Sequence, residues 1–210
     1  MSFKPSGLQN IALHIIQKKP GIKRVALAKL IYLVDWEHFK TTGKLLTGAT
    51  YVRADKGPLA FGLDNEIKAM DGWEIEVSGN KDKGFTHTPL DTARFEPRFS
   101  QYSSTLVDAV LRKYSEYSWM TLVKVSYETT PMRVVVSLEE RGQTMKNKKM
   151  NLDSLCRQDP LWEYQERARR LSFQQAGTDE ERMKEEKEVF ESTALLRKRA
   201  TTAELREAEG

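Results

Sequence analysis

Lys29-Leu30-Ile31-Tyr32-Leu33-Val34-Asp35-Trp36-Glu37-His38-Phe39 is the strongest helical signal in the 210-residue chain. Leu27, Leu30, Ile31 and Val34 recur at three- and four-residue spacing and form one apolar stripe, with Phe39 near its continuation. The helix begins near Lys23, and Gly43 stands where a left-handed C-terminal cap is expected. Upstream, Ser6 is placed to cap an earlier helix bearing Leu8, Ile11, Ala12, Ile15 and Ile16, and Pro20-Gly21 ends it. Two antiparallel helices joined by a short loop are therefore predicted to open the fold.

Downstream the periodicity changes. Thr50, Tyr51 and Val52 have strand propensity, and Asp55-Lys56-Gly57-Pro58 reads as a turn. A third helix is predicted from about Leu59 to Met70. Trp73, Ile75 and Val77 alternate with Glu74, Glu76 and Ser78, the period of a half-buried strand. Residues 79–84 turn the chain, and Phe85 to Thr88 return it as a hairpin. Two helices follow, one through Leu106, Val110, Leu111 and Tyr114, the next capped by Ser118 and carrying Leu122, Val123 and Val125. Pro131 stops or redirects it. Met132–Leu138 suits either a strand, because of three valines, or a helix. Arg141 to Lys149 is polar and basic and reads as a mobile loop. Asp159-Pro160 starts another helix, to about Phe173. Thr178-Asp179-Glu180-Glu181 has the form of a capping box for a last helix, whose thin stripe of Val189, Leu196 and Ala203 is marginal alone in water. The fold class is thus α+β: a predominantly helical domain over residues 1–174 with a small antiparallel sheet, and a C-terminal helical extension over residues 175–210.

Four Trp, seven Tyr and eight Phe are enough to centre a core although 30% of the chain is charged. No apolar run approaches the eighteen or so residues of a membrane span, and Met1-Ser2-Phe3-Lys4-Pro5 lacks the apolar stretch of a signal peptide. The single cysteine, Cys156, forms neither an internal disulfide nor a cysteine-rich zinc site. A cytoplasmic protein is expected. Residues 176–210 carry seven basic and ten acidic side chains, a balance of −3, against +7 for the rest. A basic body favours an anionic partner, or attraction between the two parts.

Few residues invite catalysis. There is no Gly-rich phosphate loop and no nucleophile elbow, and His14, His38 and His87 are scattered. Asp35 and His38, three apart, share a helix face, where a carboxylate orients an imidazole base or the two simply hydrogen-bond. No enzyme activity, metal or cofactor is expected. Nucleic acid is the competing partner: Lys18, Lys19, Lys23 and Arg24 form one basic cluster, and Arg141, Lys146, Lys148 and Lys149 a second. No aromatic residues interleave these lysines. Trp36 is either a partner's anchor or core packing. The last helix folds back onto the body or offers Val189, Phe190 and Leu196 to another chain.

The opening stretch, together with Gly43, Leu46-Thr47-Gly48, Tyr51-Val52 and Gly57-Pro58-Leu59, resembles the Panacea domain, also called the SocA-like antitoxin domain. Leu106 to Tyr114, Ser118-Trp119, Leu122 and Glu128-Thr129-Thr130-Pro131-Met132 resemble that family's later paired helices. Met132 stands where an aromatic is common and Leu59 where valine is common. Both keep an apolar side chain. The resemblance covers about residues 5–157 and leaves residues 176–210 unmatched. It implies a mostly helical domain with a small sheet and a non-enzymatic role: an antitoxin that binds a cognate protein toxin encoded beside it, often on a prophage. The partner-binding residues expected on this reading are Trp36, Tyr51, Gly57, Pro58, Val189, Phe190 and Leu196, with self-association into a homo-oligomer also allowed. The alternative is a protease adaptor, or a transcriptional regulator that contacts nucleic acid through the two basic clusters.

Overall fold

A computed structural model describes residues 6–80, 84–91, 97, 99–162 and 164. Helix α1 (Gly7–Lys18) opens on a complete capping box. The Gln9 amide N–H donates to Ser6 Oγ at 3.1 Å, and the Ser6 N–H donates to Gln9 Oε1 at 3.0 Å. Its predicted face, Leu8, Ile11, Ala12, Ile15 and Ile16, is buried. The connection to the next helix is more than a loop: it holds a short strand, β1 (Ile22–Lys23).

Helix α2 (Arg24–Thr42) ends on Gly43, whose N–H donates to the Phe39 carbonyl at 2.9 Å. A single apolar stripe was the expectation. Instead every residue from Ala26 to Trp36 is buried, Lys29 and Asp35 included. A helix covered on all sides is the centre of a domain rather than its flank. α1, α4 and α5 pack on it directly.

Strands β2 (Tyr51–Ala54) and β3 (Gly57–Ala60) form a tight antiparallel hairpin, with Tyr51 opposite Ala60 and Ala54 opposite Gly57. The turn is therefore Asp55-Lys56 alone. Gly57 and Pro58, read from sequence as turn residues, begin a strand instead. Proline is tolerated there because β3 is the edge of the sheet β3-β2-β6, where its missing N–H leaves no ladder bond unmade. With residues 57–60 in a strand, α3 (Leu63–Met70) starts later than predicted.

β4 (Ile75–Asn80) and β5 (Gly84–Pro89) make the predicted hairpin, and β1 joins it in the order β1-β5-β4. The alternation fails at its start: Trp73 is 76% exposed, while Glu74 is buried. α4 (Gln101–Tyr114) and α5 (Trp119–Tyr127) follow, each capped by a serine side chain, Ser100 and Ser118. Of the two readings of Pro131 the second holds: α5 ends at Tyr127 and the chain is redirected into a new helix. Pro131 lies in the first turn of α6 (Thr130–Glu140), where its lack of an N–H costs nothing. Val134 to Val136 are accordingly helical.

The basic segment after α6, read as mobile, is tied to the hairpin. The Asn147 N–H donates to the Arg53 carbonyl at 2.7 Å and the Arg53 N–H donates to the Lys148 carbonyl at 3.0 Å. The chain then enters β6 (Lys149–Met150), which pairs with β2, and the short α7 (Leu152–Cys156). The described residues thus hold seven helices and two small antiparallel sheets. The chain divides into two units, Met1–Pro160 and Leu161–Gly210, and all these elements belong to the first. The expected boundary at residue 174 and the capping box at Thr178 lie outside the described residues.

Candidate functional site

The most concentrated polar chemistry in the first unit is a buried network between α2 and the β2–β3 hairpin. Three side chains on successive turns of α2 supply its centre: Lys29, Tyr32 and Asp35. Spacings of three place them along one side of the helix.

Asp35 is fully buried. Its Oδ1 accepts the Thr47 backbone N–H at 2.8 Å, and its Oδ2 accepts the Tyr51 hydroxyl at 2.8 Å and the Thr47 hydroxyl. Burial pushes its pKa above the ordinary carboxylate range, against these hydrogen bonds, which favour the charged form. Thr47 Oγ1 also accepts the Ala49 N–H at 3.0 Å. Asp35 therefore shapes the Leu46-Thr47-Gly48 segment that leads into β2.

Tyr51 lies against Tyr32 edge to face, with ring centroids 5.2 Å apart. The Tyr32 hydroxyl meets Thr129 Oγ1 at 2.7 Å, and Thr129 in turn donates to the Ser126 carbonyl at 2.8 Å. This links α2 to the α5–α6 junction. Burial raises both tyrosine pKa values, that of Tyr51 with help from Asp35.

Lys29 is 3% exposed and donates from Nζ to the Pro58 carbonyl at 2.6 Å. Burial first, then the charges of Arg53, Arg24 and Lys56, lowers its pKa from 10.5 to about 7. At pH values between the folded and the unfolded pKa, the unfolded chain holds this proton and the folded chain releases it. The unfolded state then binds more protons, so stability rises with pH. Relative to Lys29→Met, the wild-type melting temperature is expected to climb from about pH 7 to about pH 9.5. A difference between the two proteins that stays constant over that range would mean Lys29 keeps its proton when folded.

Gly57 closes the site. A Cβ there would stand 2.9 Å from Tyr127 Cε2, 3.3 Å from Ser126 Oγ and 3.5 Å from Lys29 Nζ. The hairpin backbone thus lies directly on α5. Arg53 extends the contact: its guanidinium lies 5.4 Å from the Tyr127 ring centroid and pairs with Glu139 at 3.1 Å.

The polar groups at the centre of the network are engaged with internal partners. Asp35 and His38, predicted to share a face, turn to different partners: His38 Nδ1 meets the Lys44 carbonyl at 2.7 Å. His14 Nε2 meets Asp108 at 3.1 Å, and buried His87 meets the Ile22 carbonyl at 3.0 Å. Cys156 is buried and not part of a disulfide. Among the described residues no cluster of three or more His, Cys, Asp or Glu is placed to hold a metal, and no helix is long and apolar enough to cross a membrane.

The structure places the expected partner-binding residues of the domain inside it. Trp36 is 3% exposed and stacks on Phe39, and Tyr51, Gly57 and Pro58 are buried. Val189, Phe190 and Leu196 lie outside the described residues. The basic clusters are partly neutralised. Arg24 makes a two-pronged pair with Asp64 at 2.6 and 2.5 Å, Lys19 meets Glu116 at 3.3 Å, and Lys146 meets Asp55 at 2.7 Å. Lys18, Lys23, Arg141, Lys148 and Lys149 are exposed. Lys29, Tyr32, Thr47 and Thr129 join the network through partners distant in the chain. The only local signal for them was a lysine and an aspartate inside an otherwise apolar helix.

The family described as antitoxin SocA-like, Panacea domain, matches residues 27–131. That span contains Lys29, Tyr32, Asp35, Thr47, Tyr51, Gly57, Pro58 and Thr129 together. No curated protein and no solved structure matches the chain.

Proposed function

The chain belongs to the SocA-like Panacea family of antitoxins, and from that premise we propose that it neutralises a protein toxin by binding it directly. The observation that carries this reading is the fate of the motif residues. Lys29, Tyr32, Asp35 and Tyr51 are buried and spent on internal partners. None is offered to solvent as a nucleophile or base, so their work is to fix the hairpin on α2 and α5. A neutraliser needs that rigid support beneath a surface that fits its toxin, since rigidity lowers the entropy lost on binding. Trp36, Tyr51, Gly57 and Pro58 serve the partner indirectly on this reading, by shaping what the hairpin presents.

Co-expression tests the proposal. A neighbouring reading frame that arrests growth when induced alone is expected to stop doing so when this chain is produced with it, and the two proteins are expected to co-purify. Growth arrest that persists with both proteins present at full level would overturn the reading.

A further inference from the structure

The turn between α4 and α5 gathers three of the eight large apolar side chains exposed among the described residues. Tyr117, Trp119 and Met120 are 42%, 36% and 56% exposed within four consecutive residues. Single exposed apolar side chains need no explanation, but a contiguous group of large ones marks a contact surface. The group is held in place. The Thr121 N–H donates to Ser118 Oγ at 3.1 Å, which fixes the first turn of α5. Tyr117 meets the buried ring of Tyr114 edge to face at 5.7 Å.

Lysines from four elements surround this centre. From the β2–β3 turn, Lys56 Nζ stands 4.6 Å over the Trp119 ring. From the end of α1, Lys19 donates to the Ser115 carbonyl and reaches Glu116. Lys113 of α4 lies 5.0 Å over the Tyr114 ring. Lys124, exposed on α5, is one turn beyond Met120 on the same face. Glu116 is the acidic side chain of the turn itself, and Lys19 offsets it. Glu37 and Glu128 act on the neighbouring Tyr114, so the result is an apolar centre of a Trp, a Tyr and a Met inside a rim that is cationic on balance. Trp and Tyr are the residue types that most often anchor protein interfaces, and a rim of one sign selects a partner of the other.

We infer that the α4–α5 turn is the surface that docks the toxin, and that the toxin meets it with an apolar pocket rimmed by Asp and Glu side chains. This rests on the antitoxin reading. It also gives the buried network its purpose: Lys29 and Gly57 hold the hairpin where Lys56 covers Trp119.

The probe is the growth-arresting neighbour protein, titrated calorimetrically with the full chain and its variants. Trp119→Ala and Met120→Lys are expected to weaken binding at least about tenfold, the mark of an interface hot spot, with the melting temperature unchanged. Lys56→Glu, Lys113→Glu and Lys124→Glu are expected to weaken it too, most at low salt. Trp73→Ala and Phe61→Ala, exposed elsewhere, leave affinity as it is. Should Trp119→Ala prove unstable, Met120→Lys and Lys56→Glu carry the test. Wild-type affinity in these variants overturns the inference and leaves the antitoxin reading standing. So does a result in which they lose binding to a single-stranded oligonucleotide, or lose self-association, while toxin affinity is kept. A wild-type chain that neither binds nor rescues overturns both.

Discussion

Replacing Asp35 by alanine is expected to destabilise the fold by about 3–5 kcal/mol, because it strands three buried donors at once and each costs about 1–3 kcal/mol. Those donors are the Thr47 N–H, the Thr47 hydroxyl and the Tyr51 hydroxyl. Against a total stability of about 5–15 kcal/mol for an ordinary domain, the loss moves the urea midpoint far to the left or unfolds the chain outright. Asp35→Asn keeps the shape and one acceptor oxygen, but turns an NH2 group toward the remaining donors, so it is expected to fall between wild type and alanine. A denaturation midpoint for Asp35→Ala equal to that of wild type would show that the network contributes nothing to stability.

Gly57→Ala is expected to be the second large effect, at about 2–5 kcal/mol. Its backbone has φ +89°, a region that costs a side chain about 1–2 kcal/mol, and overpacking against Tyr127 and Ser126 adds about 1–3 kcal/mol. Gly43→Ala separates the two contributions. Gly43 also has a positive φ, +70°, but faces open space, so only the backbone cost applies. Equal losses at the two positions would mean that the hairpin yields freely to a methyl group. The Gly57 variant carries a second expectation. A hairpin lifted from α5 takes Lys56 away from Trp119, so toxin affinity falls even under conditions where the variant remains folded.

What the sequence revealed and what it hid follow from the range of the interactions involved. The start of α1 at Ser6 and the end of α2 at Gly43 depend on groups within four residues of one another, and both are legible as caps. Lys29 is different. A lysine in a helix ordinarily reads as its polar face, and the carbonyl that accepts from this one belongs to Pro58, 29 positions away. Asp35 shows the same limit. Helical spacing offered His38 as a neighbour, but Thr47 and Tyr51, 12 and 16 positions on, supply better donors in a site closed to water. Gly57-Pro58 carries turn chemistry in any local reading. It becomes a strand only because β2 provides a partner and the sheet leaves that edge free of ladder demands. The three valines of α6 favour a strand by propensity. The proline in its first turn, with Met132 and Val135 fully buried, makes the segment a helix instead.

The site residues divide in the same way. The motif that marks the family was readable, but its letters build the interior. Trp36, offered as a partner's anchor, is one turn from Phe39 on a helix that has no solvent side over its central turns. The exposed aromatic residues of the α4–α5 turn are neighbours in sequence, but their exposure and the lysines around them, which come from four separate elements, depend on the fold.

The central claim is that this chain neutralises by occupying its toxin and not by chemistry. The direct measurement is a titration of purified toxin, at a concentration well above the dissociation constant, with increasing amounts of the purified chain, reading residual toxin activity at equilibrium. Occupancy predicts a straight fall to zero that ends at a fixed molar ratio and does not move with incubation time. Complete and permanent inactivation by a small fraction of an equivalent, deepening as the mixture stands, would contradict the account.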